Sequence, residues 1–122
     1  MDDNLSSFGE LFIGKVRDNS IFVIEGVISG HMKSPIDKQL HDKVSKFSKE
    51  DLQLLKDFLY RMVDLTLHNT LLMLEENSEW VLANSNLEVI NINDLSDGLT
   101  GELYSDEGWI RRFSKFSPSI GL

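Results

Sequence analysis

The sequence predicts an α+β fold, with about three N-terminal helices packed on a small C-terminal antiparallel sheet. Up to about Glu76 the apolar residues recur in steps of three and four, the period of a helix face. Beyond that point the chain breaks into short apolar runs separated by turn residues, the pattern of strands and hairpins. The length of 122 residues, with no linker-like or repeated stretch, predicts a single domain over 1–122.

In the first segment Leu5, Phe8, Phe12 and Val16 mark one helix face, which Val23 and Val27 extend past a polar Ser20. Ile21-Phe22-Val23-Ile24 reads equally as a short buried strand; helix is the preferred reading, with a break near Arg17-Asp18-Asn19. The second helix starts at Ser34-Pro35-Ile36-Asp37, which supplies an N-cap hydroxyl, a proline at the first helical position and an early acid. Its apolar stripe is Ile36, Leu40, Val44 and Phe47. Ser48-Lys49-Glu50-Asp51 opens the third and longest helix, which should end near Glu76-Asn77. Leu52, Leu55, Leu59, Met62 and Val63 form its expected buried face, joined by Leu54, Phe58 and Leu65. The run Leu71 to Leu74 carries apolar side chains most of the way round.

The sheet is expected from two hairpins. Trp80–Ala83 and Leu87–Ile92 flank the turn Asn84-Ser85-Asn86, although Leu87 and Val89 share one face while Ile90 and Ile92 share the other. Leu103-Tyr104 and Trp109–Phe113 flank Ser105-Asp106-Glu107-Gly108, and Trp109, Phe113 and Phe116 fit helical spacing as well. Asp97-Gly98 is the strongest single turn signal, and Pro118 sits in the tail.

Composition narrows the chemistry. Twelve basic and twenty acidic residues give a net charge of -8, which argues against nucleic acid as a partner. With no cysteine there is no disulfide, thiolate metal site or cysteine nucleophile. No apolar run reaches the roughly 20 residues of a membrane span, and Met1-Asp2-Asp3-Asn4 lacks the basic start of a secretory signal. A cytoplasmic protein without membrane attachment is expected.

The most suggestive set of polar residues is on the long helix, where Asp57, Arg61, Asp64, His68 and Glu75 follow one stripe away from the leucines. Asp64 and His68, four apart, are within reach of a hydrogen bond that would orient the imidazole as a base or ligand. The plainer alternative is a solvated face with i,i+4 charge pairs, which a lone His–Asp pair fits better. His31, His41 and His68 have no metal-ligand spacing, and Asp94-Leu95-Ser96-Asp97-Gly98 lacks the ligands of a calcium loop. Neither phosphate-binding glycine motif nor nucleophile elbow occurs, so no metal and no cofactor is expected.

Charge is divided along the chain. Residues 31–61 carry seven basic and five acidic side chains, residues 62–122 three basic and ten acidic. An acidic surface beside Trp80, Tyr104 and Trp109 would suit a basic protein partner, the alternative being that the aromatics fill the core. The neighbours Arg111 and Arg112 read as salt-bridge partners for those acids.

Three stretches carry a resemblance: Val63 to Glu76, Ser96-Asp97-Gly98-Leu99-Thr100-Gly101-Glu102-Leu103, and Gly108-Trp109-Ile110. Over roughly the second half of the chain they resemble a small bacterial protein family without an established activity. The resemblance implies a compact cytoplasmic protein. Some proteins of that kind are labelled sugar epimerases, but a dinucleotide fingerprint and a Tyr-x-x-x-Lys pair are both missing here.

Three functions compete. The preferred one is a non-enzymatic interaction module, for instance an immunity-type inhibitor of a basic toxin. The others are an enzyme or small-ligand binder built on Asp64 and His68, and a homo-oligomer, such as a homodimer, that covers the Leu71–Leu74 ridge.

Overall fold

The computed structural model describes residues 3–86 and 88–116. Leu87 and Pro118, read above as strand and tail, lie outside these residues. Helix α1 (Asp3–Phe12) passes through a π-helical stretch (Ile13–Asp18) into α2 (Asn19–Ser29), and the junction residues keep right-handed helical backbone. Then come α3 (Pro35–Val44), α4 (Lys49–Glu76), two short 3-10 helices (Ile92–Leu95 and Leu99–Leu103) and α5 (Trp109–Phe113).

The expected helix starts and stops are explained by their caps. Ser34 Oγ accepts from the Asp37 N–H at 3.2 Å and Ser48 Oγ from the Asp51 N–H at 3.1 Å. Each satisfies an amide that the first helical turn leaves unpaired. Helix α4 ends at Glu76, capped by Asn77. At the end of α2, Gly30 takes φ 86°, a left-handed conformation open to glycine. His41 of α3 donates from Nδ1 to the carbonyls of Val27 (3.1 Å) and Ile28 (3.0 Å), so α3 docks on the C-terminal carbonyls of α2.

The stretch Ile13–Asp18 is not a break but a change of register. Each π-helical hydrogen bond spans one residue more than an α-helical one. Residues four apart therefore stay on the core face, and Ile13, Arg17 and Ile21 are buried in succession. The stripe expected to run from Phe12 through Val16 to Val23 turns outward there, leaving Val16 and Val23 exposed.

The core lies against the C-terminal half of α4. Leu67 and Leu71 meet Ile13, Ile92, Leu99, Leu103, Trp109 and Ile110. Trp109 stands edge-on to Phe8 and Phe12, at ring distances of 5.7 and 6.5 Å, and its ring covers Gly9. The N-terminal half of α4 is less covered. Leu54, Phe58 and Met62, expected inside, are exposed, as are Ile36, Leu40 and Phe47 around α3. Helix α3 docks through His41 rather than through its apolar stripe. In the Leu71–Leu74 run, Leu71 is buried, Leu74 packs against the core and Met73 is exposed.

The expected C-terminal sheet is the main correction. Among the described residues there is no strand, so the architecture is all-α rather than α+β. The physical reason is the spacing of the residues that become buried. Val89 and Ile92 enter the core three apart, while Ile90 between them is exposed. Ile92, Leu95, Leu99 and Leu103 continue in steps of three and four, the repeat of helical turns rather than of a pleat. The first expected hairpin is a closed loop with two cross-bonds, Asn84 N to Val89 O at 2.9 Å and Ile92 N to Leu82 O at 2.8 Å. The second turn is where expected but leads into α5. Gly108 leaves no room for a Cβ against the Tyr104 carbonyl, and Trp109 and Ile110 then enter the core on one helical face.

Two predictions follow from these contacts. A Cβ at Gly9 would lie 2.5 Å from the Trp109 ring. Gly9→Ala should therefore cost about 1–3 kcal/mol by overpacking, read as a lower urea midpoint with unchanged slope. Tyr60 of α4 donates to Glu25 Oε1 of α2 at 2.6 Å, and Lys56 Nζ lies 3.4 Å from Glu25 Oε2. Burial, then the hydrogen bond and charge of Glu25, push the Tyr60 phenol well above its ordinary 10.0. A group raised on folding stabilises fully below its unfolded value, so this contribution should drain as pH climbs past 10.0. Denaturation midpoints across alkaline pH should show that decline, with Tyr60→Phe making it shallower.

Candidate functional site

The polar stripe of α4 does not stay together. Asp57 accepts from Gln53 Nε2 at 3.0 Å, and Arg61 is exposed. Asp64, expected on the wetted side, is completely buried, and so is Arg17 of the π-helical stretch facing it. Arg17 Nε donates to Asp64 Oδ1 at 2.6 Å and Nη2 to Oδ2 at 3.3 Å, a bidentate pair. Both Asp64 oxygens accept from the guanidinium, where the sequence pattern gives one of them to His68.

Arg17 also reaches the C-terminal segment. Its Nη1 donates to Ser114 Oγ at 2.7 Å and to the Phe116 carbonyl at 3.1 Å. Ser114 Oγ in turn donates to Asp18 Oδ1 at 2.6 Å, and the Lys115 amide donates to Asp18 Oδ2 at 3.0 Å. Neighbouring residues of the π-helical stretch thus hold α4 and the segment after α5. In the sequence Arg17 and Asp18 mark only an expected helix break, and no spacing signal singles them out, because Arg17 lies off the apolar stripe beside Val16.

His68 is half-buried, with its ring centroid 5.9 Å from that of Tyr104. Its Nδ1 is buried without a hydrogen-bond partner among the described residues. The Tyr104 hydroxyl is raised above the ordinary phenol range by burial, against which Arg61 works and with which Asp64 works. His68 and Tyr104 are therefore neighbours, while Asp64, the acid expected to orient His68, is engaged by Arg17. Glu75 lies apart from them. Its Oε1 accepts from the Thr100 amide (3.1 Å) and hydroxyl (3.3 Å), capping the second 3-10 helix from across the chain. Among the described residues no three His, Asp or Glu side chains gather as a metal site requires. No helix there is long and apolar enough to cross a membrane.

The three aromatics named as a partner surface part company. Trp109 is a core residue and Tyr104 is half-buried against His68. Trp80 alone is open, with 72% of its surface exposed, and Val81 and Ile90 (74%) are exposed on the same loop. That loop has an ordered base, made by the two backbone bonds from Asn84 and Ile92 and by Asn93 Nδ2 donating to the Leu74 carbonyl at 2.7 Å. Glu76, Glu79 and Glu88 are exposed along it. The arginines of α5 serve local contacts: Arg111 lies 3.6 Å from Asp106, and Arg112 stacks on Phe113 at 4.6 Å while donating to Ser6 Oγ.

A buried ion pair is costly to break and often cheap to replace whole. Arg17→Met should lower stability by about 3–5 kcal/mol, since it removes the cation facing the buried Asp64 carboxylate. Arg17→Met with Asp64→Leu should recover much of that loss, as measured by chemical denaturation.

Compared with protein-family models, with curated proteins and with solved structures, the chain matches none.

Proposed function

We propose that the protein is a non-enzymatic interaction module whose acidic end receives a basic protein partner. The observation that supports this most directly is Trp80, a large aromatic left open on an anchored loop beside Val81 and Ile90. Aromatic anchors of this kind supply much of the affinity at protein interfaces. Between Met62 and Ile110 the chain has ten acids and no lysine or arginine. Of these acids Asp64 is buried, whereas Glu76, Glu79 and Glu88 are exposed around the Trp80 loop. Such a field speeds encounter with a cationic surface and disfavours acidic competitors. The partner that fits is a basic protein with an apolar slot for the indole. An immunity-type inhibitor acting on a basic toxin, in the cytoplasm, is the specific form of this reading.

The test is capture at low salt with the full chain as bait, followed by titration of the purified partner. A basic protein should be recovered in one-to-one amount, with affinity falling steeply as salt is raised. Trp80→Ala should weaken that binding by about 2 kcal/mol, roughly thirty-fold. Recovery of no basic partner, or unchanged binding by Trp80→Ala, would refute the proposal.

A further inference from the structure

A second surface, separate from the Trp80 loop, lies on the N-terminal half of α4. Leu54, Phe58 and Met62 stand four apart and are 57%, 63% and 52% exposed, with Thr66 continuing the row. Such an i±4 row is the ridge that packs into a groove in the commonest mode of helix pairing. The groove lies beside it. One cavity of about 260 Å³ runs between α4 and the α2 side, with Val16, Ser20 and Ile24 facing Leu59 and Val63. A second of about 280 Å³ lies between Phe47 and Leu55, next to Phe58. Leu55 and Leu59 are one turn apart, so the two cavities follow the same edge of α4.

An apolar ridge beside an apolar groove on one face is self-complementary under a two-fold axis, because each copy offers what the other lacks. Charge selects the direction. Residues 31–61, around the start of α4, carry seven basic and five acidic side chains, whereas residues 62–110 carry ten acidic and none basic. Parallel copies would set acid against acid; antiparallel copies set each acidic half against a basic one.

We infer that this face is a self-association surface. Two copies pack antiparallel across a two-fold axis near Phe58 and Met62, the ridge of each in the groove of the other. The Trp80 loops then lie at opposite ends of the dimer, away from the two-fold axis.

Sedimentation and light scattering from 1 to 100 μM (roughly the range of modest homodimers) test the inference on the full chain. The expected mass at the upper end is twice 13.9 kDa. Phe58→Glu and, separately, Met62→Lys should give monomers with unchanged helical circular dichroism, since both positions are exposed. Trp80→Ala should leave the dimer intact. The chain has no native cysteine, so a spin label at Glu50→Cys reports direction: roughly 30 Å between labels for antiparallel copies, under about 20 Å for parallel ones. A monomer at every concentration, with the ridge then left to a different protein, would overturn the inference. A dimer that survives both ridge variants, or a short label distance, would do the same.

Discussion

A buried guanidinium makes heavy demands on everything around it. Removed from water, it requires a counter-charge and acceptors for its N–H groups, or the fold loses several kcal/mol. Arg17 meets that demand from elements far away in sequence: Asp64 of α4, 47 residues on, and Ser114 and Phe116 after α5, 97 and 99 residues on. Asp18 completes the arrangement by holding Ser114 and the Lys115 amide. An apolar contact between α4 and the π-helical stretch could slip by a helical turn at modest cost. A bidentate pair cannot, because either partner would be left charged and unpaired.

The π-helical stretch makes this possible. An unbroken α-helix would continue the Leu5, Phe8, Phe12 face through Val16 and leave Arg17 beside it. The wider turn brings Ile13, Arg17 and Ile21 onto the core side and sends Val16 and Val23 outward. One local change of winding thus places the cation inside and creates the apolar edge that faces Leu59 and Met62 across a groove. Burial at the core and exposure at the edge are two sides of the same shift.

Core formation is accordingly uneven along α4, a helix of 28 residues. Its C-terminal half shares one core with α1, α5 and the 3-10 turns, with Glu75 and the Leu74 carbonyl both used to fasten those turns. Its N-terminal half has α2 on one side and apolar residues open on another. The uneven enclosure coincides with the division of charge, so each end of the molecule combines its own charge sign with exposed apolar groups. That combination supports reading the chain as something that acts by contact.

What could be read from sequence alone was local. The caps at Ser34 and Ser48, the stop at Glu76-Asn77 and the turn at Ser105–Gly108 depend on nearby backbone and side-chain chemistry, which adjacent residues determine. The division of charge was equally legible. Which face of each helix is buried was not, because that depends on what packs against it. Leu54, Phe58 and Met62 look like core positions by period, yet none of the described elements covers them; Asp64 looks wet, yet Arg17 waits opposite it. The strands expected after Glu76 failed for the same reason. Short apolar runs suit pleats and tight helical turns alike, and only their docking in steps of three and four on Leu67 and Leu71 selected the turns. Local chemistry placed the ends of the elements; long-range pairing of one buried charge and the packing around it chose their faces.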